Sequence, residues 1–377
     1  MRMAPNQSYR CRSNDKHIVY TVLYVYVFKR FAIQRMTTHR QEVEMKKLLN
    51  LFIGAALALI AFQAPATAET ELKFASFVPS KYVLHKPVFM KLANDLATAT
   101  NGDVKIKIYA SGALGKGPVE QYQRAVRRIA EISYGLPGYT SSVFPKTLLI
   151  ELPGVTNGHQ DATRKLWKVM DSHLRKEFKR TVPLALFVTP PAVLMMRDKP
   201  IRNLSDLKGL KIRASSKSAA AILTAYGATP VQMPATKVYT SMSTGVVDGA
   251  LMGTGSLLIF KLLEPTKYVI TGLPEMPTTL FMVMNEEAYK ELKPSHRSAL
   301  DKLTGLGISL RAAQLEANFG DVGMKKFRAI SGKQVIELSA GAQADFAKAA
   351  QRGVASVLKD IEGKGVPAKE IYNAMKN

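Results

Sequence analysis

Cysteine and histidine are scarce in this sequence, and their scarcity excludes several kinds of site. Of its 377 residues, one is cysteine and six are histidine. The cysteine is Cys11, so the chain beyond residue 68 can form no internal disulfide, supply no thiolate nucleophile and hold no metal through cysteine. The histidines of that part are isolated from one another: His85, His159, His173 and His296. We therefore expect neither a bound metal nor a cofactor.

The short motifs that mark common catalytic sites are also missing. The sequence contains no HExxH zinc motif, no GxSxG nucleophile elbow and no GxxxxGK[ST] phosphate loop. The stretch GTGSLL at 253–258 starts like a dinucleotide-binding GxGxxG but lacks the third glycine, which favours a turn before a helix. Acidic residues are sparse near the predicted loop ends, and none forms a convincing general acid–base pair. These absences favour a protein that binds and releases a ligand over an enzyme.

Clusters of positive charge are missing as well, although the chain is basic. Its formal net charge is +24, but no run of five or more Lys and Arg occurs. Nucleic-acid binding usually requires a basic patch or stripe, so dispersed charge does not favour a nucleic-acid partner. With 47% hydrophobic and 22% charged residues, the composition is typical of a globular protein.

The segment 45–68 has the pattern of a secretory signal peptide. Lys46 and Lys47 precede an apolar run at 48–62, and Ala66-Thr67-Ala68 forms a small-x-small cleavage site. An uncleaved membrane anchor is the alternative, but the run is shorter than the about 20 residues that span a bilayer. We predict cleavage after Ala68 and export to the periplasm, with no lipid anchor because no lipobox cysteine follows. Residues 1–44 precede this signal, and we interpret them as a non-native upstream extension, with Met45 as the true start.

The pattern beyond residue 68 predicts an α/β fold. Alternating apolar stretches such as VKIKIYA (104–110) are followed by helical periodicity, which is typical of βαβ units. Strand-like segments on either side of Pro190-Pro191 indicate a crossing between two lobes. Pro294 opens a predicted long helix that reaches about Ile330, and Asp161 is a plausible N-cap of another helix.

Arg213 ends the predicted strand LKIRA (210–214), just before Ser215, Ser216 and a helix. Ligands of open α/β sheets bind beyond the carboxyl ends of strands, where a guanidinium and a helix N-terminus could both hold a carboxylate. The alternative is an ion pair with a nearby acid such as Asp206. The spacing alone leaves both interpretations open.

Several segments resemble the DctP-like solute-binding proteins of TRAP transporters, the tripartite ATP-independent periplasmic carriers. The segment 203–250, NLSDLKGLKIRASS…YGATPVQMPATKVYTSMSTGVVDGA, carries the resemblance, together with GDVKIKIYASGALG and with ELPGV at 151–155. The resemblance implies two α/β lobes joined by crossing strands near 189–192 and 277–280 and by a long hinge-spanning helix. We assign 69–190 plus 279–318 to lobe I and 191–278 plus 319–377 to lobe II.

The resemblance also implies a site in which Arg213 clamps a ligand carboxylate. Val193 stands where sialic-acid-type members carry a second arginine, and Lys237 replaces an acid usual before the VY pair. Around the clamp we expect an apolar pocket, which favours a monocarboxylate with an apolar or aromatic body over a sugar acid. Plain core packing is the alternative for these side chains, and for Tyr239 it is packing beneath the sheet. The predicted ligand-binding residues are Arg213, Tyr239, Met233, Met252, Tyr134, Phe187 and Val193, and Tyr139 and Met195 belong to the same predicted pocket.

The partners that the resemblance implies are the small and large TRAP membrane subunits, to which the closed protein delivers its ligand. Other functions remain compatible with the residues. An exported sensor or scavenger could use the same fold, whereas an exported enzyme would need a titratable residue beside Arg213. A binding protein of an ABC transporter would share the architecture without these segments.

Overall fold

The computed structural model describes residues 69–376 except Lys116, together with Met45, Leu48, Leu49, Leu51 and Phe52. The chain divides into two compact units, 1–67 and 68–377, and the account below concerns the second. The upstream extension, and the signal peptide with its cleavage site, lie outside the described residues apart from those five positions. Among the described residues, no helix combines the length and the hydropathy that crossing a bilayer requires.

Eleven strands lie in the described part of the chain and form two sheets. They are β1 (Thr70–Ser76), β2 (Val104–Tyr109), β3 (Ile132–Gly135), β4 (Thr181–Val188), β5 (Val193–Met196), β6 (Lys211–Ala214), β7 (Thr229–Gln232), β8 (Gly249–Met252), β9 (Tyr268–Thr271), β10 (Thr279–Asn285) and β11 (Gln334–Glu337). The first sheet has the order β2-β1-β3-β10-β4 and the second β11-β9-β5-β8-β6-β7.

Most of the strand pairs are parallel, as the alternation of strands and helices predicts. β1 runs parallel to β2 and β3, and β6 runs parallel to β7 and β8. β10 is antiparallel to both of its neighbours, and so is β5. Every residue of β10 is buried, and residues 280–284 accordingly form a continuous apolar run rather than an alternating one.

Helices surround both sheets. The α-helices are α1 (Lys91–Ala99), α2 (Gln121–Val126), α3 (Gly158–Lys168), α4 (Lys217–Ala225), α5 (Val238–Ser243), α6 (Ser256–Ile259), α7 (Glu286–Glu291), α8 (Pro294–Leu303), α9 (Leu306–Arg328), α10 (Ala340–Glu362) and α11 (Ala368–Lys376). Shorter helical turns occur at His85–Met90, Pro137–Thr140, Thr147–Glu151, Met170–Leu174, Arg175–Glu177, Leu204–Leu207 and Ala235–Lys237.

Two helix boundaries differ from the prediction. The helix predicted from Pro294 to about Ile330 is divided into α8 and α9 by Gly305, whose φ of +84° lies in the left-handed region that side chains disfavour. The amide of Gly305 donates to the Leu184 carbonyl at 2.7 Å instead of continuing a helix. Asp161 is not an N-cap, because α3 begins three residues earlier and Asp161 lies in its first turn.

Two of the connections between the sheets run side by side as extended segments. One crossing joins β4 to β5 through Pro190-Pro191, and the other joins β9 to β10. Hydrogen bonds pair them, since the Thr189 amide donates to the Thr278 carbonyl and the Ala192 amide to the Met276 carbonyl, both at 2.9 Å. The predicted crossing at Pro190-Pro191 is therefore confirmed.

Helix α9 packs against elements of both halves, namely α3 and β4 on one side and α6 on the other. It thus spans the molecule beside the two crossings, as the predicted hinge-spanning helix should. The last helix, α11, packs against Thr147–Glu151 and α3, although the predicted division puts these segments in different lobes. The exact lobe boundaries remain a prediction.

Candidate functional site: a cavity between the two sheets

A cavity of about 80 Å³ lies between the two sheets, beside the crossings. It is lined by Phe77, Val78, Tyr82, Tyr134, Leu136, Tyr139, Thr189, Pro190, Arg213, Ser215, Ala235, Met252, Gly253, Thr254, Gly255, Ser256, Ile259, Phe260, Thr278, Leu280 and Glu316. Many of these residues follow or end the parallel strands of both sheets. The cavity therefore occupies the position where open α/β sheets bind their ligands, beyond the carboxyl ends of strands.

Arg213 reaches this cavity from the second sheet, one strand in from its β7 edge. Its strand, β6, lies between β7 and β8, and Arg213 pairs with Val231 and Ala250. Ser215, two residues after Arg213, also lines the cavity. Ser216 then caps α4 by accepting a hydrogen bond from the Ala219 amide. The predicted sequence of strand, arginine, serine cap and helix is confirmed.

The guanidinium of Arg213 is buried and incompletely paired. The residue is 2% exposed, its Nε donates to the Met233 carbonyl at 3.0 Å, and its Nη1 lies 3.5 Å from the Leu251 carbonyl. Within the described residues, Nη2 has no hydrogen-bond partner. Burial lowers the pKa of Arg213 below its ordinary value, although the Tyr139 hydroxyl and the Glu151 carboxyl favour the charged form. A buried cation with a free donor at a cavity wall is suited to an anionic ligand.

The alternative partner considered for Arg213, Asp206, is engaged elsewhere. Its carboxylate accepts from the Arg202 amide at 2.7 Å and from the Asn203 amide at 3.1 Å, forming a capping box with Asn203 at the turn Leu204–Leu207. Asp206 is half-buried, whereas Arg213 is buried. The ion-pair interpretation is therefore wrong for this acid.

Glu151 supports the position of Ser216 from the other half of the molecule. It is 3% exposed, and its two carboxyl oxygens accept from the Thr279 amide at 2.8 Å and the Ser216 hydroxyl at 2.9 Å. Burial raises the pKa of Glu151 to about 7, and these donors and Arg213 oppose the rise. Glu151 thus ties the start of β10 to the helix that follows Arg213.

Aromatic rings form one wall of the cavity. Tyr134, which is fully buried at the end of β3, shares a 2.9 Å hydrogen bond with the hydroxyl of Tyr82. The ring of Phe77 stacks on Tyr134 at 5.8 Å between centroids and 10° between planes. Burial raises the pKa of Tyr134 well above its ordinary value, so its hydroxyl stays protonated. This wall can cover a flat apolar ligand without offering it a charge.

Glu316 of α9 lines the cavity together with the turn at 253–256. Glu316 is 7% exposed, and its Oε1 has no hydrogen-bond partner among the described residues. Burial raises the pKa of Glu316 to about 8, so the carboxyl carries a proton at neutral pH. The turn lies directly on α9, since a Cβ on Gly323 would come within 2.8 Å of the Thr254 carbonyl oxygen. The stretch 253–258 forms a turn before a helix, as predicted.

Three of the seven predicted ligand-binding residues line the cavity: Arg213, Tyr134 and Met252. Tyr139 of the predicted pocket lines it too, and its hydroxyl accepts from the Ala235 amide at 2.9 Å. The others lie outside the lining. Met233 contributes only its carbonyl, which accepts from Arg213.

The remaining predicted residues lie outside the lining and make other contacts. Phe187 packs into the core beneath the first sheet, and Val193 and Met195 pack into the core beneath the second. Tyr239 donates through its hydroxyl to Glu264 at 2.5 Å, near the surface. The core-packing alternative describes Phe187, Val193 and Met195 better than the pocket interpretation does.

Sequence reasoning missed several lining residues, notably Phe77, Tyr82, Leu280 and Glu316. Phe77 immediately follows β1, so its place after a strand was a usable signal. Glu316 has no such signal, because an acid within a helical pattern is normally a solvated position.

Comparisons with known proteins agree with this arrangement. The family model described as "Bacterial extracellular solute-binding protein, family 7" matches residues 74–360. A solute-binding protein of Albidiferax ferrireducens is 23% identical over 307 residues, which cover 79% of this chain and 90% of that protein.

Solved structures show the same fold. A marine metagenome TRAP solute-binding protein specific for aromatic acids, in complex with metahydroxyphenylacetate, has a TM-score of 0.78 and 26% identity and covers 82% of this chain and 98% of that one. A TRAP solute-binding protein from Rhodoferax ferrireducens with copurified benzoate has a TM-score of 0.77 and 25% identity. The match covers 81% of this chain and 96% of that one.

Proposed function

Because this chain belongs to family 7 of the bacterial extracellular solute-binding proteins, we propose that its cavity captures an organic acid for uptake. The proposed ligand is a monocarboxylate with an apolar or aromatic body. The observation that carries this proposal is the buried guanidinium of Arg213, which faces the cavity with its Nη2 unpaired among the described residues.

A single carboxylate fits the charges of the lining. Among the described residues that line the cavity, Arg213 is the only Lys or Arg, and Ser215 follows it shortly before α4. A carboxylate at this point would receive charge-assisted hydrogen bonds and the favourable field of a helix N-terminus. A second carboxylate would find no second cation, and Glu316 would stand near it instead. The lining therefore favours a monocarboxylate over a dicarboxylate.

The rest of the lining favours an apolar or aromatic ligand body. Five aromatic residues contribute to it, and they are Phe77, Tyr82, Tyr134, Tyr139 and Phe260. Leu136, Ile259 and Leu280 add aliphatic surface. The hydroxyl groups of a sugar acid would lie against this aromatic and aliphatic surface, which is unfavourable because a buried polar group needs a hydrogen-bond partner. The aromatic acid and the benzoate in the two similar structures support the same class of ligand.

Delivery to TRAP membrane subunits, small and large, completes the proposal. The family is a binding component of transport, and no catalytic step is assigned to the cavity. Closure of lobe I (69–190 plus 279–318) on lobe II (191–278 plus 319–377) around the paired crossings would enclose the ligand. The protein would act in the periplasm after cleavage behind Ala68.

A binding screen tests the proposal. Residues 69–377, stripped of ligand by unfolding and refolding, are titrated calorimetrically with benzoate, phenylacetate, succinate and glucuronate. We expect benzoate or phenylacetate to bind and the other two to bind weakly or not at all. Preferred binding of succinate or glucuronate would contradict the monocarboxylate assignment. Delivery is tested in proteoliposomes that hold small and large TRAP membrane subunits, where uptake should require the binding protein.

A further inference from the structure

Glu316 is an acid in a cavity that the proposed function fills with an anion. It projects from α9, the helix that runs beside both crossings, and lines the cavity together with the turn at 253–256. Its Oε2 lies 3.5 Å from the position that a Cβ of Gly255 would occupy, and the Phe319 ring lies 3.1 Å from the same position. An acid so placed needs an explanation other than solvation, because water does not reach most of its surface.

In the two other buried glutamates of the described chain, both carboxyl oxygens accept hydrogen bonds. Glu151 accepts from the Thr279 amide and the Ser216 hydroxyl. Glu177 accepts from the Lys146 amide at 2.6 Å and from the amide and hydroxyl of Thr147 at 2.9 and 2.7 Å. Of these three buried glutamates, only Glu316 has an oxygen without a partner among the described residues, and only Glu316 lines the cavity. Since buried polar groups are almost always paired, the missing partner belongs in the cavity.

The chemistry of that partner follows from the surroundings of Glu316. Among the described residues, no amide or cation donates to this carboxyl, and burial is the one cause that shifts its pKa. The carboxyl is therefore in its acid form at neutral pH, with one O–H donor and free acceptor positions. A hydroxyl group, which both donates and accepts, matches this acid form, whereas an ammonium group would require the ionised form.

We propose that Glu316 binds a hydroxyl group of the ligand, so that the cargo is a hydroxylated monocarboxylic acid. Its carboxylate would lie on Arg213, its apolar ring against the wall of Phe77 and Tyr134, and its hydroxyl on Glu316. This inference rests on the proposed function, because it presupposes that the cavity holds an organic acid. It adds a residue that discriminates among acids of the same size and charge.

The test compares acids that differ by one hydroxyl. Benzoate is titrated beside its 2-, 3- and 4-hydroxy derivatives, and phenylacetate beside the corresponding three, into the wild-type protein and the Glu316→Leu and Glu316→Gln variants. We expect the wild type to bind one hydroxylated isomer about tenfold more tightly than its parent acid, the range of one buried hydrogen bond. Glu316→Leu should abolish this preference, so that the hydroxylated isomer and its parent acid bind with similar affinity to each other, and Glu316→Gln should keep part of it. Gln314→Leu, at an exposed position of the same helix, should leave the affinities for all of these acids unchanged.

The outcomes separate the two claims. If the wild type binds the parent acids but Glu316→Leu leaves the hydroxyl preference intact, or if no isomer is preferred, the Glu316 assignment is wrong and the proposed function stands. Tighter binding of 4-(aminomethyl)benzoate than of every hydroxylated acid would also overturn the assignment, because it would mean an ionised Glu316. If the wild type binds none of these monocarboxylates, the proposed function itself fails.

Discussion

Replacing Glu316 by Gln should change how the stability of the ligand-free protein depends on pH. Gln keeps the size and the hydrogen-bonding capacity of the protonated carboxyl but cannot ionise. Burial raises the pKa of Glu316 from 4.5 to about 8. Between these two values the folded chain holds a proton that the unfolded chain has released, so the wild type loses stability as pH rises.

The size of the effect follows from the width of that window. Each pH unit inside it lowers the free energy of unfolding by about 1.4 kcal/mol. From pH 5 to pH 7 the wild type should therefore lose about 2 to 3 kcal/mol relative to Glu316→Gln. Glu151, with its pKa near 7, adds its own loss over the same range, but it is present in both proteins and cancels in the difference.

The assay is urea unfolding at pH 5, 6 and 7, followed by circular dichroism, with both proteins stripped of ligand. The curves should converge near pH 4.5, and the variant should be increasingly the more stable protein above it. A difference that stays constant from pH 5 to pH 7 would show that Glu316 is ionised in the folded chain. The proposal that a protonated Glu316 binds a hydroxyl group of the ligand would then lose its support.

Two further substitutions test the geometry of the cavity. Gly323→Ala should destabilise the protein by about 1 to 3 kcal/mol and weaken binding of benzoate, because its Cβ would come within 2.8 Å of the backbone of the turn that lines the cavity. Gly307→Ala is the control on the same helix, because a Cβ at Gly307 would have no atom within 4 Å. This control should unfold at an unchanged or slightly higher temperature. Tyr239→Phe should leave the affinity for benzoate unchanged, since Tyr239 contacts Glu264 outside the lining, and a loss of affinity in calorimetry would return Tyr239 to the site.

The parts of the site that the sequence predicts are those encoded locally. Arg213 at a strand end, Ser216 as a helix cap and Pro190-Pro191 as a crossing each depend on a few consecutive residues. Local patterns of this kind report which element a residue belongs to and where the element ends.

The other parts depend on long-range packing. Phe77, Arg213 and Glu316 meet in one cavity although Phe77 follows β1, Arg213 lies on β6 and Glu316 lies on α9, and no local pattern brings them together. Strand β5 shows a second reason why the sequence does not predict the whole lining of the cavity. All four of its residues are buried, so its sequence does not reveal which of them reach the cavity. Val193 pairs with Met252 of β8, and Met252 lines the cavity whereas Val193 does not.

The central claim is that Arg213 holds the carboxylate of the ligand. Calorimetric titration of Arg213→Gln with benzoate and phenylacetate tests it most directly, beside Arg202→Gln as an exposed control. Loss of a charge-assisted pair costs about 2 to 5 kcal/mol, so affinity should fall at least thirtyfold in Arg213→Gln and stay unchanged in the control. Circular dichroism should show that both variants are folded. A folded Arg213→Gln protein that binds these acids as tightly as the wild type would contradict the account.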